Sequence, residues 1–130
     1  MRLKKSILLY CADKNLLAVT AFALRLYPYD VVSVSTANEA SLLAAGQNAT
    51  FDCGILIHAQ QADPVGRLIH RLLECDSRIQ LLLVDRAGDL APVRYADMVL
   101  YGRNTTMTHI LAALQVLCHR KSGQPTRRPA

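Results

Sequence analysis

The residues able to do chemistry in this 130-residue chain gather just behind short apolar runs. Cys11, Ala12 and Asp13 end the run that begins SILLY. His58 closes CGILIH. Asp85 follows QLLLV, and Gly102, Arg103 and Asn104 follow MVLY. Asp13 and Asp85 supply carboxylates, Arg103 a fixed cation and His58 an imidazole. Together they can line a polar pocket, but they do not make a complete catalytic set. No Cys–His pairing has a third orienting group. No G-x-S-x-G is present, and no G-x-G-x-x-G or P-loop run follows the first apolar segment. Cys11–Asn15 also lacks the Ser, Thr and Gly of a flavin phosphate loop. The chain is therefore expected not to be an enzyme, and no cofactor is expected.

The four cysteines, Cys11, Cys53, Cys75 and Cys118, include no C-x-x-C spacing. Three lie inside apolar stretches, where a thiol acts as a small hydrophobe. Cys75 falls in the polar ECDS segment and is expected to be exposed. Four free thiols in a reducing compartment is the expectation. His70, His109 and His119 fall on predicted helices away from His58, so no metal site is expected.

The elements that must position these residues alternate in period. Ser6–Cys11 reads as a buried strand, too short for a helix. Asp13 can cap a helix over Lys14–Leu26, with Leu16, Leu17, Phe22, Ala23 and Leu26 near helical spacing. Pro28 helps to end it. Val31–Val34 is β-branched and strand-like. Thr36, with Glu39 three residues on, forms a capping box for a helix over Ala37–Ala45, which Gly46 stops. Cys53–His58 is a second strong apolar run. The span 66–74 is helical, with Leu68, Ile69, Leu72 and Leu73 on one face and Arg67 and Arg71 on the other. Gln80–Val84 and Met98–Tyr101 read as strands. Thr105 or Thr106 caps a last helix to about Arg120, with Met107, Ile110, Leu111, Leu114, Leu117 and Cys118 as its stripe.

Runs that are apolar throughout, rather than alternating, imply strands covered on both faces and hence a parallel sheet between helices. Short connections and right-handed crossovers favour an α/β doubly wound sheet of five strands, order 2-1-3-4-5. In that topology a site lies beyond the carboxyl ends of the strands.

Residues from about 5 to 120 resemble the receiver domain of bacterial response regulators. SILLYCADKNLL is similar to that family's first strand and helix, FDCGILIHAQQADPVG to its third strand and following loop, and ADMVLYGRN to its fifth strand. The resemblance implies a flavodoxin-like fold and a role in two-component signalling. It also implies a site in which an acidic pair binds Mg²⁺ beside a phosphorylated Asp, a small hydroxyl residue and a Lys. The acidic pair falls on Cys11 and Ala12. The acceptor falls on His58 if Gly66 sets the register, or on Ile57 if Asp52 does; His58 is preferred. The hydroxyl position falls on Val84, or on Asp85 with a shift of one. The Lys falls on Gly102, its following Pro on Arg103, and the aromatic switch on Val99. Asp13 could serve as a single ligand after a one-residue shift. Sulfur and methyl groups are not the hard oxygen ligands that Mg²⁺ takes, so no metal and no aspartyl phosphorylation are expected. His58 is expected to fill the vacated pocket beside Asp13 or Asp85.

The loop between the fourth and fifth strands, Asp85–Asp97, is shorter than the family's usual loop and helix. The helix there is expected to be shortened or absent. The net charge of +5 sits mostly in Arg120, Lys121, Arg127 and Arg128; without them, 11 basic residues stand against 10 acidic. The expected organisation is a receiver-like domain over 1–120 and a basic, disordered tail over 121–130. That tail offers only a weak route to nucleic acid. No membrane span and no secretory pattern are visible, so a soluble cytoplasmic protein is expected. The expected role is a degenerate receiver binding a protein partner or itself, independent of phosphorylation. The alternative is a flavodoxin-like domain binding a small ligand at the strand carboxyl ends.

Overall fold

The computed structural model describes residues 5–27, 29–45, 51–58, 65–75, 79–86, 96–102 and 106–118. Five strands form one sheet: β1 (Lys5–Cys11), β2 (Tyr29–Val34), β3 (Cys53–His58), β4 (Gln80–Asp85) and β5 (Met98–Tyr101). Their order is β2-β1-β3-β4-β5, and every pairing is parallel. Four helices are described: α1 (Lys14–Arg25), α2 (Ala37–Ala45), α3 (Val65–Cys75) and α4 (Met107–Cys118). This is the doubly wound sheet that the uninterrupted apolar runs imply.

Burial explains the runs. The six residues of β3 are all buried, as are five of six in β4, because helices cover both faces. The edge strand β2 alternates instead, with Tyr29, Val31 and Val34 buried and Asp30 and Val32 exposed. On one face, Ile7, Leu9, Cys11, Ile55, Ile57, Leu82 and Val84 pack under α1 and α4. On the other, Leu8, Tyr10, Leu56, Leu81 and Leu83 pack under α2 and α3.

Two aspartates lock the register from just outside the strands. Asp52 precedes β3; its amide donates to the Ser6 carbonyl at 2.9 Å, and its Oδ2 accepts from the Ser6 amide at 2.8 Å. Asp97 precedes β5 and does the same to Leu81, at 2.9 and 2.8 Å. Gly54 lets β3 lie close under Leu81, since a Cβ there would stand 3.0 Å from Leu81 Cδ2.

The helix starts follow capping chemistry. Asp13 Oδ1 accepts from the amides of Asn15 and Leu16 at 3.0 and 3.1 Å. The Thr36 Oγ1 accepts from the Glu39 amide at 3.1 Å, and its hydroxyl donates to the Glu39 carboxylate at 3.1 Å. Before α4, the Thr106 amide donates to His109 Nδ1 at 3.2 Å, with His109 in the place a glutamate takes in a capping box.

Three sequence expectations are corrected. Phe22 and Leu26 do not face the core: they are 67% and 70% exposed. The buried face of α1 is Leu17, Thr20, Ala21 and Leu24. Both sets have helical spacing, and α1 is apolar on two opposite sides, so periodicity alone cannot choose between them. The first helix also ends at Arg25, one residue early, with Leu26 and Tyr27 donating back to Ala23 and Leu24. The third runs to Cys75, so that cysteine closes a helix rather than sitting in a turn. Pro28, Gly46, the fourth-helix region 87–95, Arg103, and the tail with His119 lie outside the described residues. Among the described residues, no helix is long and apolar enough to cross a membrane.

Candidate functional site

The carboxyl ends of β1, β3, β4 and β5 meet in two adjacent rows of side chains. Residues paired across a parallel ladder share a face. Cys11 pairs with Ile57, Ile57 with Val84, and Val84 with Leu100. This row points to the α1/α4 face. Cys11, Ile57 and Val84 are at most 1% exposed within its core, and Leu100 packs against them. One residue further, His58 pairs with Asp85 and Asp85 with Tyr101. By alternation this second row points to the α2/α3 face, where Ala12 also packs.

The two readings left open by the sequence thus separate by face. Ile57 goes with Val84 in a row of sulfur and hydrocarbon. His58 goes with Asp85 in a row carrying an imidazole and a carboxylate. His58 and Asp85 are 2% and 1% exposed, while Tyr101 at the sheet edge is 67% exposed. Backbone bonds tie the polar row together: Arg86 donates to the His58 carbonyl and Gly102 to the Asp85 carbonyl, each at 2.9 Å.

Asp13 sits apart from that pair in its role. Its Oδ1 is committed to two α1 amides. Gly102 follows β5 with a backbone φ of 105°, a left-handed conformation that a side chain rarely adopts. Val99 is half-buried against the α2/α3 face. Arg103 lies outside the described residues.

These residues do not fit a bound Mg²⁺. The cation takes hard oxygen ligands in an octahedron. The positions that the family's acidic pair would occupy hold a buried thiol and a methyl group, and Asp13 spends an oxygen on capping. Among the described residues, no group of three or more His, Cys, Asp or Glu could hold a metal ion.

Sequence reading missed a second polar feature at the opposite end of the sheet. Cys53 opens β3 and Cys118 closes α4, and both are buried in the same core cluster. The Cys53 thiol donates to the carbonyl of its neighbour Gly54 at 3.8 Å. Its interaction with Cys118 lowers the Cys118 pKa, while that interaction and burial push Cys53 well up. Tyr29, the edge-strand neighbour, is also raised, chiefly by burial. The 65 residues separating the cysteines in sequence carry no signal of this contact; only the docking of α4 on β3 creates it.

The fold is that of response regulator receiver domains. The non-phosphorylated HemR receiver domain from Leptospira biflexa superposes with a TM-score of 0.77 at 16% identity, covering 94% of this chain and 100% of that one. The receiver domain of sensor histidine kinase PA1611 from Pseudomonas aeruginosa, solved with magnesium in its active-site cleft, gives 0.75 at 14% identity over 90% and 99%. A structure described as an adenylate cyclase from Rhodopirellula baltica gives 0.78 at 17% identity over 89% and 88%. No family model matches the sequence. No curated protein matches it either.

Proposed function

We propose that this chain is a degenerate receiver-like domain, a phosphorylation-independent and non-enzymatic protein-interaction module of bacterial signal transduction or regulation. The observation that carries the reading is the row Cys11–Ile57–Val84–Leu100, apolar throughout and buried at all but its last member. Phosphoryl transfer works by positioned charge, with a metal and a cation neutralising the transferred group. In this reading Cys11 and Ala12 replace the acidic pair, His58 the acceptor, Val84 the hydroxyl residue and Gly102 the lysine. Asp85, His58 and Arg103 are then remnants of pocket polarity rather than catalysts.

The interaction half of the reading rests on α1. Val19, Phe22 and Leu26 are 63%, 67% and 70% exposed and lie opposite its buried face. With Asn15 they repeat at intervals of four, three and four residues, the seam spacing by which one helix receives another. The helix carries Lys14 and Arg25 at its two ends and no acidic residue. Its complement is a partner's amphipathic helix whose apolar seam is flanked by acidic residues. Like charges disfavour a second copy of α1.

Incubation with acetyl phosphate, or with beryllium fluoride, in the presence of Mg²⁺ tests the reading by intact mass and thermal shift. The expected outcome is no adduct and no change in melting temperature. An 80 Da adduct, about the mass a transferred phosphoryl group adds, or a shift that requires Mg²⁺, overturns it.

A further inference from the structure

The helices on the polar face enclose a cleft that the receiver reading leaves unused. It measures about 210 Å³ and is lined by Ala37, Asn38 and Ser41 of α2 and by Arg67, Leu68 and Arg71 of α3. On each helix these are positions i, i+1 and i+4, so one ridge of α2 faces one ridge of α3 across the opening. The polar lining is one-sided in its chemistry. Two guanidiniums donate only, and an amide and a hydroxyl can donate. Among the described residues, no carboxylate lines the cleft.

Three observations point to what such a lining takes. The Ser41 hydroxyl oxygen is buried and has no hydrogen-bond partner, an arrangement that costs free energy until a ligand meets it. Arg67 and Arg71 stand one turn apart on an exposed face, where two guanidiniums repel each other until an anion bridges them. Ala37 and Asn38 belong to the first turn of α2, whose amides present partial positive charge. Among the described residues, the acids on α2 and α3 are Glu39 and Glu74. Glu39 is held in its capping box with Thr36. Glu74 lies a further turn along α3, outside the lining.

We infer that the α2–α3 cleft binds the phosphate group of a small phosphorylated ligand, with Arg67 and Arg71 bridging its oxygens and Asn38 and Ser41 donating from the facing helix. A phosphate presents more acceptor oxygens to donors on both walls than a carboxylate does. The volume exceeds what the anion alone fills, and Ala37 and Leu68 offer an apolar floor for the rest of the molecule. This site uses no residue of the strand-end rows and stands whether or not those rows are chemically silent.

The test is a ¹H–¹⁵N NMR titration of the full chain at constant ionic strength, with inorganic phosphate and with a sugar phosphate as probes and chloride as the control. Saturable shifts confined to residues 37–41 and 67–71 are expected with both phosphates and not with chloride. Tighter binding of the sugar phosphate assigns an organic phosphate ester; equal affinity assigns free phosphate to the same site. R67Q/R71Q is expected to weaken binding at least tenfold. R67K/R71K, which keeps the charge and loses the fork, is expected to fall in between and guards against a misfolded glutamine variant. Shifts that never saturate, that spread over the surface, or that persist unchanged in R67Q/R71Q overturn the inference.

Discussion

At the carboxyl ends of the strands the two faces of one sheet have been finished in opposite ways. Under α1 and α4 the last row is Cys11, Ile57 and Val84, closed to water, with Leu100 half-buried at its edge. Under α2 and α3 it is Ala12, His58, Asp85 and Tyr101, with an imidazole and a carboxylate side by side and buried. A single residue of register separates them. The difference shows two ways to finish the end of a sheet. One face is finished with hydrocarbon, which is held by packing alone. The other keeps polar groups, which are held only as long as their hydrogen bonds are.

The sharpest way to break that comparison is to put charge into the dry row. Ile57→Asp is expected to cost more than about 3 kcal/mol, because a carboxylate there has neither water nor a cation. Urea denaturation followed by circular dichroism reads it. A variant of near-normal stability would mean that the dry row can still accept an acidic group, and the two faces would not differ as described. Asp85→Ala is the companion change on the polar row. Removing this carboxylate leaves buried neighbours without it, for an expected loss of about 1–3 kcal/mol in the same assay. No loss would mean that Asp85 is carried by its backbone bonds alone.

The smallest effect is confined to alkaline pH and belongs to the dry face at its other end. Cys53 and Tyr29 hold their protons more firmly folded than unfolded, owing chiefly to the Cys118 interaction for Cys53 and to burial for Tyr29. Below the ordinary thiol value of 9.0 both states of Cys53 are protonated, and it contributes no pH dependence. Above 9.0 the unfolded chain releases that proton and the folded chain does not, so stability falls as pH rises. Tyr29 adds to the decline above its ordinary 10.0. Cys118 is shifted down, so its effect runs the other way and is complete by 9.0. Chemical denaturation between pH 7 and 10.5 is expected to show the decline, and Cys53→Val to make it shallower. An unchanged slope in that variant would remove Cys53 as its source.

Most of the architecture was legible because it depends on local pattern. Uninterrupted runs such as CGILIH announce strands covered on both sides, and Asp13, Thr36 and Thr106 announce helix starts. What could not be read depends on how elements meet. The outward stripe of α1 and its buried face have equal claim to helical spacing, and only the sheet beneath decides that Leu24 goes in and Phe22 stays out. The pairing of His58 with Asp85 requires the register of β3 against β4, a ladder that begins where the Gln80 amide donates to the Asp52 carbonyl at 3.3 Å. The contact of Cys53 with Cys118 and the α2–α3 cleft require two elements to be docked before either exists.

Gly102 bears on the history of such a domain. With φ at 105° and its amide bonded to the Asp85 carbonyl at 2.9 Å, it shapes the exit from β5. On the reading that receivers place a lysine there, a lysine at this position would put a side chain on a backbone that costs about 1–2 kcal/mol for any L side chain to hold. On that reading the glycine would act as a ratchet: the backbone holds a state that glycine tolerates best, and a path back to lysine would pass through a less stable protein.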